Sequence, residues 1–438
     1  MMPRRLLCLL AALLLAVPLV RAQEPLPLTE EDYSQLSARK GLRQGISILP
    51  FPIMSYSQDL GFQFGAFAEL YDYGTQPSIY PDFFHYFHLE ASHYTKGQTF
   101  LHGEYDSSFV IPGVRMILSA SWQYDPLYQF YGFNGVSRYD PALDRTDGNA
   151  FYCYQRSMIR GMASFQGGIY GDFKWLGTLT YRYLSSGDFD FGGYDNTNTL
   201  FRQYRQAGII KDDELKGSML EILGGIRYDS RDFEKDPRKG IWAEFFLNGS
   251  PDFFGTGYPY LKAALRWRHY ITPGPRWFTL AYHLGYQTTL AGNVPFYVEQ
   301  NISTIQIRQT CAEGLGGINT LRGVLGNRLV GDGYAWGNLE LRFRVLELEL
   351  LGLNLSFGLN PFYDLGVITK PFRPAETAAM LSISGDELLS RTRQLHQSAG
   401  IGFNFGLEAN TMLSVEWARA FNNDDGRSSI YFAMNYVF

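Results

Sequence analysis

Side-chain character alternates residue by residue along many stretches of this 438-residue chain. From Ala335 to Val345 the odd positions are Ala335, Gly337, Leu339, Leu341, Phe343 and Val345, and the even ones are Trp336, Asn338, Glu340, Arg342 and Arg344. Leu351–Leu359, Leu220–Asp229, Leu261–Arg268 and Ala399–Leu407 repeat the pattern. A period of two marks strands with two different faces. The polar face carries charges and glycines, and the apolar face carries bulky aliphatics and aromatics. A soluble sandwich also alternates, but these segments are long for sandwich strands. A barrel in a bilayer needs tilted strands of about 9–11 residues with an apolar exterior and a polar interior. The bilayer also forbids open sheet edges, because their backbone groups would find no partner.

Composition narrows the classes. Aromatics make up 16% and charged residues 18% of the chain, and the formal charge is −5. Such a chain is too apolar to be disordered, and it is not a generally basic nucleic-acid binder. Arg4 and Arg5, the apolar run Leu6–Val20 and the small residues Val20 and Ala22 read as a signal peptide over residues 1–22. The run is too short for a spanning helix, and no uncharged apolar run of spanning length follows it. Residues 23–45 then form a short periplasmic segment, and 46–438 the barrel domain. Cys153 and Cys311 are too few for a disulfide framework, and whether they pair is open.

Sixteen candidate strands begin near residues 47, 61, 82, 98, 113, 151, 171, 219, 239, 258, 276, 334, 352, 396, 411 and 429. The long connections 126–150, 185–218, 291–333 and 367–395 all follow odd-numbered strands, as they should if one end of a barrel bears the long external loops. The 367–395 link predicts a short helix, with Ser384 and Glu387 at capping-box spacing. The last strand alternates through Ile430, Phe432, Met434, Tyr436 and the terminal Phe438. An aromatic terminus on such a strand resembles the assembly signal of bacterial outer-membrane barrels.

Residues 315–344 read LGGINTLRGVLGNRLVGDGYAWGNLELRFR. This segment resembles the outer-membrane protein assembly and translocation superfamily: the BamA/TamA type, two-partner-secretion transporters and bacterial surface-antigen barrels. In that family a long external loop folds into the lumen and bears an R-G motif at its tip, matched by Leu321, Arg322, Gly323 and Val324. Val324 stands where the family usually has an aromatic. The following strands carry motifs matched by Gly337, Glu340 and Arg342, then by Phe362, Asp364 and Gly366. A further family-like turn is matched by Asp229, Arg231, Asp232, Pro237 and Gly240. The resemblance covers roughly residues 46–438.

The resemblance implies an all-β fold, a transmembrane antiparallel β-barrel of about sixteen strands with a long loop folded into the lumen. Asp364 and Glu340 share the polar face of adjacent strands, which lie about 4.8 Å apart, so both can line one wall. Arg322 is the cation expected to meet them, since a guanidinium fork binds a carboxylate through two parallel bonds. Gly316, Gly317 and Gly323 let the loop backbone turn and approach that wall. The alternative is a solvated external loop with both acids facing water.

The first strand contains Pro50 and Pro52, which cannot donate to a ladder. With Tyr436 and Phe438 of the last strand they define an expected lateral seam, resembling the family's gate for client strands. The alternative is two prolines facing the loop side of a full ladder. Family members also carry periplasmic POTRA domains. Only residues 23–44 precede the barrel here, fewer than the roughly 40 at which domains seldom fold unaided. The reading is therefore a member without its own POTRA domains, with the outer-membrane bilayer, unfolded clients and a partner supplying POTRA-like function as its contacts.

No catalytic motif, cofactor site or nucleic-acid surface is evident. Among His85, His88 and His93, period two puts His88 on the opposite face, and no metal site is expected there. The functional expectation is insertion, assembly or translocation of outer-membrane proteins. A small-solute channel or surface receptor on the same scaffold is the alternative, and a lumenal or rim enzyme is a third and weaker reading.

Overall fold

The computed structural model describes residues 45–57, 61–74, 82–145, 148–234, 236–252, 257–274, 277–302, 314–350, 353–407, 411–426 and 428–434. The expected signal peptide, Cys311, Tyr436 and Phe438 lie outside the described residues. Sixteen strands follow one another: β1 Ile46–Ser57, β2 Gly61–Asp72, β3 His85–Tyr94, β4 Thr99–Ile111, β5 Val114–Gln129, β6 Cys153–Tyr170, β7 Phe173–Gly187 and β8 Lys216–Asp229. They continue with β9 Gly240–Ser250, β10 Tyr260–Ile271, β11 Phe278–Gly292, β12 Gly333–Leu350, β13 Leu353–Lys370, β14 His396–Leu407, β15 Thr411–Ala420 and β16 Ser428–Met434. Each pairs antiparallel with its neighbours in one continuous sheet of order β1 to β16.

The faces of this sheet are inverted relative to a soluble protein. On β10, Leu265 and Trp267 are 50% and 39% exposed, while Arg266 and Arg268 between and beside them are 5% and 1% exposed. Leu89, Leu284, Phe403 and Ile430 are likewise exposed, and Glu244, Glu340 and Glu416 are buried. An apolar surface outside and charges inside is stable only where the outside solvent is hydrocarbon. The inward charges are paired, which is what makes their burial tolerable. Glu244 accepts from Arg227 Nε at 3.1 Å and Arg268 Nη1 at 3.2 Å, and Arg182 meets Glu221 at 2.9 Å.

The long links after β5, β7, β11 and β13 meet at one end and pack into an aromatic cap. Phe130 packs at right angles to Phe201 and Tyr204, with centroids 5.7 and 5.2 Å away. Phe296 and Phe372, from the other two links, join the same buried cluster. Asn134 ties two links reciprocally, donating to Phe372 O at 2.8 Å and accepting from Phe372 N at 2.7 Å. Among the described residues the links hold four short α-helices, α1 Leu200–Gln206, α2 Phe296–Glu299, α3 Pro374–Leu381 and α4 Gly385–Thr392. The link after β13 thus holds two helices where one was expected, and Ser384 caps the second by accepting from Glu387 N at 3.1 Å. At the opposite end most links are tight, but those after β2 and β8 are longer than alternation of loop lengths predicts.

The sheet's two edges approach one another. Cα atoms of β1 and β16 come within 8 Å, yet among the described residues no ladder joins them. The prolines do not weaken the other side of β1, which pairs with β2 from Ile46↔Asp72 to Ser57↔Gly61 without a break. Pro50 and Pro52 share one parity, so both missing donors fall on the same side of the strand.

Candidate functional site

Strand parity builds one polar wall. On β12 the even residues Asn338, Glu340 and Arg342 face the interior, on β13 Phe362 and Asp364, and on β15 Glu416. Register then sets Asn338 opposite Asp364 and Glu340 opposite Phe362. The segment 314–332 lies against this wall and is almost wholly buried.

Arg322 is the centre of the contact and is fully buried. Its Nε and Nη2 donate to Asp364 Oδ2 and Oδ1 at 2.9 and 2.8 Å, the two-pronged geometry that suits a guanidinium. Its backbone N donates to the same Oδ2 at 3.0 Å. Nη1 donates to Glu340 Oε1 at 2.6 Å and reaches Glu416 Oε2 at 3.3 Å. The Phe362 ring lies under the guanidinium, 3.5 Å from Cζ, and covers the face that the carboxylates leave open. Two neighbours complete the set. Arg342 Nε donates to Glu340 Oε2 at 2.8 Å, and Asn338 Nδ2 to Asp364 Oδ1 at 2.9 Å. Two cations and three carboxylates therefore share one water-excluded region, and each charge-assisted bond there contributes roughly 1.5–3 kcal/mol.

Apolar packing seats the tip. Leu321 and Val324 are fully buried with Leu315, Leu329, Trp336 and Ile368. Val324, in place of the aromatic usual to the resemblance, fills that cluster without a void-filling ring. Gly366 makes the seat, because a Cβ there would stand 2.8 Å from Leu321 Cδ1. Gly323 has φ +86°, and a Cβ on it would lie 2.9 Å from the Arg419 backbone, so only glycine lets the tip run this close to β15. The Gly323 N–H donates to Tyr431 OH on β16 at 2.9 Å, and Leu325 N to Asp425 O at 2.8 Å. The loop thus touches the last strand as well as the wall.

Every wall residue expected from the sequence gathers here: Glu340, Arg342, Phe362, Asp364 and Gly366. Sequence reasoning missed Glu416, Asn338 and Tyr431. Glu416 and Asn338 had a signal, since both fall on the polar parity of their strands. Tyr431 had none, because its role depends on how far the loop descends. The turn after β8 also forms as a unit. Arg231 Nε and Nη2 donate to the two Asp229 oxygens at 2.7 and 2.8 Å, Asp232 Oδ1 accepts from Arg238 N at 2.9 Å, and Trp242 lies between Arg231 and Arg268, each 3.9 Å from its ring. Tyr270 links this turn to the loop lock: it shares a buried cluster with Trp242, and Arg342 Cζ lies 5.5 Å from its ring.

A family model described as the Omp85 superfamily domain matches residues 85–438. The chain belongs to the Omp85 superfamily. No curated protein sequence matches it. Among solved structures this Omp85 chain is similar to BamA from Haemophilus ducreyi, in a crystal structure lacking POTRA domains 1–3, with 14% identity, a TM-score of 0.55 and coverage of 90% of this chain and 70% of that one. It is also similar to CdiB from Escherichia coli, with 9% identity, a TM-score of 0.54 and coverage of 93% of this chain and 70% of that one. At these identities the likeness is one of fold. It matches the single sixteen-stranded sheet to the barrel fold of this superfamily.

Proposed function

We propose that this Omp85 barrel resides in the bacterial outer membrane and takes part in inserting or translocating other outer-membrane or surface proteins, without a catalytic step of its own. Residues 1–22 direct its export, and 46–438 form the membrane domain. The observation that carries the reading is the loop lock. A fully buried arginine holding three carboxylates on three strands, at the tip of a loop that also touches β16, is a costly arrangement for a passive pore. It fits a device that fixes the lumen while the nearby edges move.

The seam is the second part of the proposal. β1 and β16 meet without a ladder among the described residues, and the missing donors of Pro50 and Pro52 discourage one. The exposed backbone of these edges is a template onto which a client strand can pair. An engineered disulfide between β1 and β16 tests this in cells. The expected result is loss of other barrels or surface proteins from the outer-membrane proteome, restored by reductant. Unchanged client levels with the seam locked would reject gating. A steady open conductance in planar bilayers would favour the small-solute channel instead, but the buried loop and the aromatic cap both narrow the path that such a channel requires.

A further inference from the structure

β3 and β4 carry a second, partly buried polar group on the interior face, well along the sheet from the loop lock. Register sets Glu69 of β2 opposite His88, and Glu90 opposite His102. His88 and Glu90, two residues apart, share a face, and His88 Nε2 lies 3.6 Å from Glu90 Oε2. The His88 and His102 rings stand 5.5 Å apart. One donor atom from each of His88, Glu90 and His102 lies within 4.8 Å of the other two.

Two further observations point to a ligand. His102 is only 8% exposed, and its Nε2 has no hydrogen-bond partner among the described residues. A buried ring nitrogen left so is costly unless something binds it. His88, in turn, points its other nitrogen at a carboxylate: Nδ1 lies 3.9 Å from Glu69 Oε1. That carboxylate is itself held by Tyr86 OH at 2.8 Å and Tyr71 OH at 3.1 Å. At 3.9 Å the His88 contact is an ion-pair distance and not a hydrogen bond, but it sets the carboxylate behind the imidazole, on the side where metal-bound histidines take their outer support. Phe67 stacks on His88 at 5.7 Å and Phe100 on His102 at 5.8 Å, which limits how far either ring can turn away.

We propose that His88, Glu90 and His102 form a binding site for a divalent transition metal, zinc by its donor set, that ties β3 to β4 on the barrel's inner wall. Two imidazoles and one carboxylate are a common zinc set, with a fourth position left for water from the lumen. Ligands about 2.0–2.1 Å from a tetrahedral ion stand about 3.4 Å from one another. His88 and Glu90 are already near that separation, and His102 offers a donor atom within 4.8 Å of both. Period two hid the site in the sequence. It correctly separates His88 from His85 and His93, but the partner it gains, His102, sits on the next strand.

The test uses the full chain, untagged, folded in detergent micelles, with Zn²⁺ alone titrated by calorimetry and Co²⁺ as the absorbing substitute. Folding of each variant is read by heat-modifiable migration. The expected result is one Zn²⁺ per chain and a Co²⁺ visible band of tetrahedral intensity. Both should weaken more than tenfold in Glu90→Gln and be lost in His102→Ala. Glu69→Gln, which changes only the support behind His88, should weaken binding about 10–100-fold. Absence of stoichiometric Zn²⁺ binding by the folded wild-type protein would overturn the proposal, and so would equal binding by folded Glu90→Gln. Glu90→Gln keeps the side-chain volume, so it decides the matter even if His102→Ala does not fold.

Discussion

The guanidinium of Arg322 and its own backbone N–H donate to one carboxylate, that of Asp364, 42 residues further along the chain. Side chain and main chain are therefore fixed by the same anchor, and the loop tip can neither slide nor rotate without breaking both. Glu340 and Glu416 then close on the outer nitrogen from the two flanking directions.

Truncating this arginine should undock the loop. Arg322→Ala leaves Asp364 and Glu416 buried without their cation and Glu340 with Arg342 alone, which costs about 3–5 kcal/mol for a broken buried pair. The segment 314–332 is expected to become cleavable by protease in folded barrels. Arg322→Lys keeps the charge but loses the two-pronged contact, so it should protect the loop only in part. Equal protease resistance in wild type and Arg322→Ala would show that apolar packing alone holds the tip.

The glycine seats give an independent test without changing charge. Gly366→Val removes the space that Leu321 occupies, and Gly323→Ala places a Cβ against the Arg419 backbone at a positive φ. Both should loosen the loop by about 1–3 kcal/mol, as overpacking and backbone strain do. Hydrogen exchange of residues 314–326 should rise in each variant while that of β5–β8 stays unchanged.

The inverted faces predict opposite tolerance on one strand. Leu265→Arg puts a charge on the outward face near the middle of β10 and should cost about 2–4 kcal/mol in a bilayer. Arg266→Gln, on the inward face beside it, should be milder. Urea unfolding of the barrel in lipid vesicles measures both, and the reverse ranking would contradict a lipid-facing exterior.

Acidity should act on the link between β11 and β12. Burial pushes the Glu299 carboxyl up from 4.5 to about 8, with Lys262 opposing the shift and Asp332 adding to it. A carboxyl with a raised folded pKa favours the folded state fully below its unfolded value, and that contribution is lost as pH rises through about 8. The packed link is therefore expected to weaken between about pH 4.5 and 8. Glu299→Gln mimics the protonated form, so its thermal midpoint relative to wild type should climb over that window. A constant difference from pH 5 to pH 9 would refute the shift.

Much of this was readable residue by residue. Alternation gave strand identity because lipid on one side and lumen on the other impose two chemistries on successive side chains. It located all sixteen strands within three residues of their observed starts, from Ile46 to Ser428. The same parity put Asp364 and Glu340 on one wall. Two features escaped. The link after β13 folds as two helices rather than one, because Ser382 takes a left-handed conformation that ends α3 before Ser384 starts α4. Glu416 joins Arg322 although its strand is separated from β13 by β14.

The order of polar and apolar residues along the chain determined that a two-faced sheet would form and which side chains would point inward, since those choices depend only on the local geometry of an extended backbone. Depth and distance were decided by the tertiary structure alone. How far the loop descends, that its tip reaches Tyr431 on β16, and that His88 meets His102 across β3 and β4 depend on register and sheet curvature. These arise from many strands acting together and are written at no single position.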